Sequence, residues 1–160
     1  NRRLQALSNN QCPSKPEGWA TLQNIDNRLK ARIDATQPPQ FHYDLGRRLA
    51  PLRDEGILLF ASGNVVHNLR VIRWGAGAQP FPWATEFNDA ARALIERREH
   101  APLIDYAAMG EAARMSIPTP DHYLPLLYVL GTQQSADTVS FPVEGIEGGS
   151  LSMLSVQVGR

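Results

Sequence analysis

Any chemistry in this chain has to draw on four histidines, His42, His67, His100 and His122, and on the carboxylates scattered among them. No two of these histidines stand four residues apart, the spacing that sets two imidazoles on one helical face for a shared metal. A metal or acid–base site must therefore be assembled from distant loops. His67 lies in Ser62-Gly63-Asn64-Val65-Val66-His67-Asn68, between two asparagines able to orient its ring. It reads either as a loop histidine satisfied by backbone or as a base or ligand. His122 follows Pro118-Thr119-Pro120-Asp121. It reads either as a ring packed on Tyr123 or Trp74, or as an imidazole that a helix N-terminus keeps neutral and able to accept a proton or bind metal. His42 and His100 fall on polar helix faces or ends and read as surface. Glu144 and Glu147 flank glycines, which describes a solvated turn. No phosphate-binding or dinucleotide fingerprint is present, and Ser62-Gly63 lacks the preceding Gly-x of a nucleophile elbow.

The elements that must position these residues can be read from the apolar spacing. Residues 1–40 are polar, contain Pro13, Pro16, Pro38 and Pro39, and suggest an irregular lead-in with one short helix at Leu22, Ile25 and Leu29. Phe41, Leu45, Leu49 and Leu52 describe one face of a helix over 41–55, weakened by Gly46 and Pro51. Ile57-Leu58-Leu59-Phe60-Ala61 is a continuous apolar run, as expected of a central strand covered on both faces. The loop carrying His67 then leaves the C-terminal end of that strand, where open α/β sheets gather their ligands. A helix follows Pro82, with Trp83, Phe87, Ala90, Ala91, Leu94 and Ile95 on one stripe. Shorter helical pieces span 102–115 and break at Gly110. A buried helix runs from a capping Asp121 to Gly131. Thr138 to Val143 and Ser150 to Val158 read as strands, the second slipping in phase near Met153. The fold class is α/β, a partial open sheet with flanking helices.

Composition limits the partners. Sixteen basic and sixteen acidic residues cancel, which leaves no electrostatic footprint for nucleic acid or an anionic membrane. With 42% apolar residues in 160, the chain can bury one core. Cys12 is the single cysteine, so no internal disulfide can form. With no signal-peptide pattern at the start and no membrane-length apolar run, a soluble cytoplasmic protein is the expectation. The chain begins at Asn1 rather than Met, which fits a trimmed product or a portion of something longer.

Four blocks occur in order: Ala61-Ser62-Gly63-Asn64-Val65-Val66-His67-Asn68-Leu69-Arg70; Pro82-Trp83-Ala84-Thr85 with Phe87-Asn88; Pro118-Thr119-Pro120-Asp121-His122-Tyr123-Leu124-Pro125-Leu126-Leu127; and Val143-Glu144-Gly145-Ile146 with Gly149-Ser150-Leu151-Ser152-Met153. Together they resemble the DOPA-dioxygenase-like branch of the class III extradiol, LigB-type dioxygenases. The resemblance covers residues 31–160, as the C-terminal part of that domain, and leaves 1–30 as a divergent lead-in. It implies an enzyme that opens a catechol-type small molecule with O2 at one mononuclear iron(II) or zinc(II) site. It also implies that His67 and His122 are active-site residues, as catalytic groups, metal ligands or both. The family's two further metal-binding histidines lie in Gly-His-Gly and Ala-His-Trp loops, and neither pattern occurs here. The metal site implied for this chain is accordingly incomplete, and a second chain supplying the missing ligands is the corresponding partner. The alternative is a binding or interaction protein that keeps the dioxygenase scaffold without turnover, similar to the Memo-like group.

Overall fold

The computed structural model describes residues 22–25, 28–31, 33–75 and 77–159. The chain divides into two compact units, Asn1–Thr36 and Gln37–Arg160. In the first, β1 (Leu22–Ile25) and β2 (Arg28–Ala31) pair antiparallel with Ile25 opposite Arg28. The short helix expected at Leu22, Ile25 and Leu29 is therefore a hairpin. Three apolar residues in eight positions hold too little periodicity to separate the two, and the ladder between neighbouring strands decides. Of the expected lead-in over 1–40, residues 1–21, 26, 27 and 32 lie outside the described residues.

The second unit is built on helices whose starts the sequence marks with proline. Pro39, Pro51 and Pro82 open α1 (Pro39–Leu49), α2 (Pro51–Asp54) and α3 (Pro82–Glu96), where a missing N–H costs nothing. The helix expected over 41–55 is thus two pieces, because Pro51 cannot donate into a continuing ladder. After α3 come α4 (His100–Ile104) and α5 (Glu111–Ser116), separated at Gly110, whose φ of 99° interrupts the helical path as the sequence suggests. The last helix is α6 (Leu124–Gly131).

These helices pair along the faces that the apolar stripes define. The α3 stripe buries Phe87, Ala91, Leu94 and Ile95, and α3 packs against α5 through Ala112 and Ala113. Tyr123, buried at the start of α6, donates its hydroxyl to the Leu103 carbonyl at 2.8 Å, so its one polar atom is satisfied in the core. Its phenol is pushed up far above the ordinary range by that burial.

The α1·α6 contact corrects two surface assignments. His42 is fully buried, with Nδ1 2.9 Å from the Tyr128 hydroxyl, and is not on an exposed face. His100 is half-buried, with Nδ1 3.0 Å from the Tyr43 hydroxyl. A helical histidine can be placed on a face from sequence, but which face the neighbouring helix covers is set by packing. Here Gly46 on α1 and Gly131 on α6 let the two backbones approach so closely that neither position has room for a Cβ.

Strands are short. β3 (Val139–Ser140) pairs with β6 (Gln157–Val158), and β4 (Ile146–Glu147) pairs with β5 (Leu151–Ser152), both antiparallel. The expected strand 150–158 is split into β5 and β6, and the break opens at Met153, near which the alternation slips. The helices and strands together form the expected mixed α/β fold, but the central strand does not form. Ile57–Ala61 is irregular, Leu58 and Phe60 are 87% and 86% exposed, and these residues belong to no sheet among the described residues. A continuous apolar run becomes a strand only when neighbours supply ladder partners on either side.

Candidate functional site

His67 and His122, 55 residues apart in sequence, meet face to face. Their ring centroids are 3.6 Å apart and their planes differ by 17°. Each is delivered by a loop pinned at both ends. The His67 backbone N–H donates to the Ser116 carbonyl at 2.9 Å, and His67 forms an isolated bridge to Leu151 of β5. The two asparagines fix this loop and leave the ring alone: Asn64 Nδ2 donates to the Ser152 carbonyl at 2.7 Å and Asn68 Nδ2 to the Met115 carbonyl at 2.7 Å. Behind them a buried pair, Ser152 Oγ donating to Asn88 Oδ1 at 2.6 Å, ties β5 to α3. Asn88 and Ser152 stand within the quoted sequence blocks, yet only their contact reveals that they support the loop.

His122 is held differently from the expectation. It ends a single 3₁₀ turn, Pro120–His122, that precedes α6, and Asp121 caps no helix with its side chain. Pro125 sits in the first turn of α6, so the helix begins late, after Tyr123. What fixes His122 is its own carbonyl, which accepts from Asn64 N at 2.8 Å, and Gly63, where a Cβ would collide with that same carbonyl and stand 2.9 Å from Pro125 Cγ. The two histidine loops are therefore braced against each other through backbone. Trp74, an alternative packing partner for His122 on the sequence, is 85% exposed.

Released from the helix, Asp121 turns its carboxylate to the imidazole, with Oδ2 3.3 Å from His122 Nε2. Its carboxyl is held below the usual range, first by the Thr119 hydroxyl and also by the two histidines. His67 is pulled below the ordinary histidine value, first by burial and then by the neighbouring His122, with Asp121 opposing. Two stacked imidazoles at this distance favour at most one positive charge, and His67 is the ring kept neutral. We expect His122→Asn to move the His67 titration upward and Asp121→Asn to move it further down, both read from imidazole proton shifts against pH. Shifts in the same direction for both variants would contradict this electrostatic arrangement.

His122 lines a cleft of about 1040 Å³ whose walls include Ile57–Val65 and Ser152–Gly159, with Pro125, Leu126 and Val129 from α6. His67 stacks on His122 and is not among the cleft-lining residues.

The side chains in place do not fit a metal ion. A ligating imidazole offers its lone pair in the ring plane at about 2.0–2.1 Å from the ion. Two nearly parallel rings 3.6 Å apart cannot both satisfy that for one ion. Among the described residues, no group of three or more His, Cys, Asp or Glu could hold one either. No described helix is long and apolar enough to cross a membrane.

No family model matches the chain. Among curated proteins it is 53% identical over 134 residues to the 4,5-DOPA dioxygenase extradiol of Escherichia coli K12, a match covering 82% of this chain and 49% of that protein. It is 36% identical over 102 residues to the 4,5-DOPA dioxygenase extradiol of Portulaca grandiflora, covering 62% of this chain and 35% of the relative. The chain thus spans about half the length of the first relative and less of the second. Among solved structures, an uncharacterized protein of Escherichia coli K12 superposes with a TM-score of 0.79 at 43% identity, over 99% of this chain and 71% of that one.

Proposed function

The chain belongs to the family of the 4,5-DOPA extradiol dioxygenases, and from that membership we propose that it carries the proton-accepting part of a site that opens a catechol-type ring beside its two hydroxyls, with O2 as co-substrate. The observation that carries the proposal is the His67–His122 stack, with His122 facing a cleft large enough for an aromatic ring.

The residues suggest the following division of work. A catechol hydroxyl has to give up a proton before its oxygen becomes a strong nucleophile, and an acceptor poised near neutral pH serves that need. With His122 Nε2 3.3 Å from Asp121 Oδ2, a tautomer protonated at Nε2 would leave Nδ1 to accept. The proton passes from the catechol hydroxyl to that imidazole and leaves a catecholate, while the Asp121 carboxylate stabilises the imidazolium formed. His67, kept neutral, supports the charged ring from one face and limits the pair to a single proton. The stacked rings do not fit as joint ligands of the iron(II) or zinc(II) ion of the family's chemistry. Its ligands would come in the main from polypeptide beyond the described residues, on a second chain or another part of the same one.

A chimera tests the proposal: this chain replaces the matched segment of the Escherichia coli relative, and oxygen uptake with DOPA is followed alongside the isolated chain. The expected result is ring opening by the chimera and none by the 160 residues alone. A chimera that folds and binds catechol without consuming oxygen would instead support a binding protein that keeps the dioxygenase scaffold.

A further inference from the structure

We propose that Tyr43 and His100 are positioning residues for the turn that carries His122, and that together they form an acid-sensitive latch. With His100 neutral the five-residue α4 stays seated; with His100 protonated it opens and releases that turn. The effect on ring opening rests on the preceding reading, whereas the opening of α4 does not.

α4 cannot hold itself. A single helical turn is unstable without outside contacts, and Glu99 gives this one no side-chain cap. The chain also enters it through Arg98 at a φ of 59°, in the region that favours glycine. What ties α4 down is one contact at each end. At its start, His100 Nδ1 lies 3.0 Å from the Tyr43 hydroxyl on α1. Near its end, the Leu103 carbonyl accepts from the buried Tyr123 hydroxyl at 2.8 Å. Tyr123 is the residue after His122, and its N–H closes the Pro120–His122 turn by donating to the Pro120 carbonyl at 2.9 Å. If α4 moved alone, it would strand a buried hydroxyl, so displacement of α4 draws Tyr123 and the turn with it.

The surroundings of His100 suit a neutral ring. It lines a cavity of about 510 Å³ with Tyr43, Arg98 and Glu99, through which water reaches it. Among the described residues no carboxylate pairs with it: Glu99 reaches Arg97 at 3.1 Å, and Asp44 on α1 reaches Arg47 at 3.9 Å. The like charge of Arg98 is held in place by the Ser135 and Asp137 carbonyls. On the other elements packed against α4, Tyr128 of α6 is turned to His42 at 2.9 Å, and Tyr106 packs on Tyr123 with ring centroids 4.9 Å apart. The Gln133 amide favours a charged ring but stands outside hydrogen-bond geometry, since both its polar atoms and His100 Nε2 are buried without a hydrogen-bond partner. A second ring proton would therefore be a buried charged donor with no acceptor in place.

His100 is accordingly pulled below the ordinary histidine value, first by burial; Gln133 opposes and Arg98 adds to the shift. For the sign, the opened form, in which the ring regains its ordinary value of about 6.5, binds the proton more tightly than the seated form. The latch is thus at full strength above that pH. It weakens as pH falls from there to the lower value of the seated ring.

Amide exchange of the 160-residue chain between pH 5 and 8, referred to an unfolded peptide at the same pH, tests the latch without catalysis. The Asp105 amide, which donates to the Ala101 carbonyl at 3.0 Å, reports α4, and the Tyr123 amide reports the His122 turn. Protection of both should hold above about pH 6.5 and then fall by up to roughly tenfold per pH unit, while α3 stays protected. The fall should level off where the His100 ring shifts titrate. His100→Gln keeps a hydrogen-bonding group that takes no proton and should make the protection independent of pH. Tyr43→Phe should lower it already at neutral pH. Protection in the parent chain that is flat or rises in acid would overturn the latch, as would a fall that levels off with another histidine. Opening of α4 with Tyr123 still protected would overturn its link to His122. These three readings come from the parent chain and stand even where a variant does not fold. Acid opening of α4 together with a chimera that consumes no oxygen keeps the latch and sinks the functional reading.

Discussion

In the completed chimera, His67→Ala and His122→Ala should each lower the rate of catechol ring opening by on the order of 10²-fold or more, the usual worth of a positioned proton acceptor and its support. The two should not fail alike. His122→Ala removes the cleft-facing imidazole and with it the contact to Asp121, so the loss should fall on turnover at saturating catechol. His67→Ala removes the ring behind it and should also shift the pH profile. For the sign, a histidine held below its ordinary value of about 6.5 stays neutral at pH 7 and protonates only on further acidification. Any loss of activity that follows protonation of His67 should therefore lie on the acid side of that ordinary value. The acid limb should move when His67 is replaced. A loss under fivefold in both variants, measured as oxygen uptake across pH 5–9, would remove the pair from the chemistry.

Substituting either of two glycines should be nearly as damaging, in ways that can be told apart. At Gly131 an added Cβ would collide with the Tyr43 carbonyl and stand 2.9 Å from Arg47 N and 3.0 Å from Gly46 Cα. Those are backbone atoms of the facing helix and cannot swing aside. Gly131→Ala should destabilise the fold by about 1–3 kcal/mol through separation of α1 from α6. That corresponds to a fall in Tm of roughly 2–4 °C per kcal/mol for a chain of this size. The buried His42–Tyr128 hydrogen bond across the same contact should lengthen with it. At Gly63 the Cβ would meet the His122 carbonyl instead. Gly63→Ala should then push the Pro120–His122 turn outward and part the two imidazoles, so that His67 titrates nearer its ordinary value. Calorimetry combined with histidine NMR separates the cases: Gly131→Ala should move Tm more than the His67 titration, and Gly63→Ala the reverse. An unchanged Tm for Gly131→Ala would mean that the close approach of α1 and α6 is not required.

Much of this protein was legible before any coordinates. The apolar stripe of α3, its start at Pro82 and the break at Gly110 follow from local rules, since each depends on residues within a turn or two of one another. The four blocks that resemble the dioxygenases carry His67 and His122 whatever the fold around them, and both histidines are found at one place. Tertiary structure decided what depends on distant partners. His42 looks like a surface residue until α6 covers its face, and Asp121 looks like a helix cap until the chain delays α6 and frees its carboxylate for His122. Ile57–Ala61 shows the limit most clearly: its residues specify an apolar extended run, but a strand is a pairing between segments, and its partner has to come from elsewhere in space. The sequence by itself singled out His67 and His122 and the helix that carries much of the core. Only the tertiary structure decided that two imidazoles stack at 3.6 Å rather than converge on an ion, because ring orientation is set by backbone braces such as Asn64 to His122 and His67 to Ser116, which join residues about 50 or more positions apart.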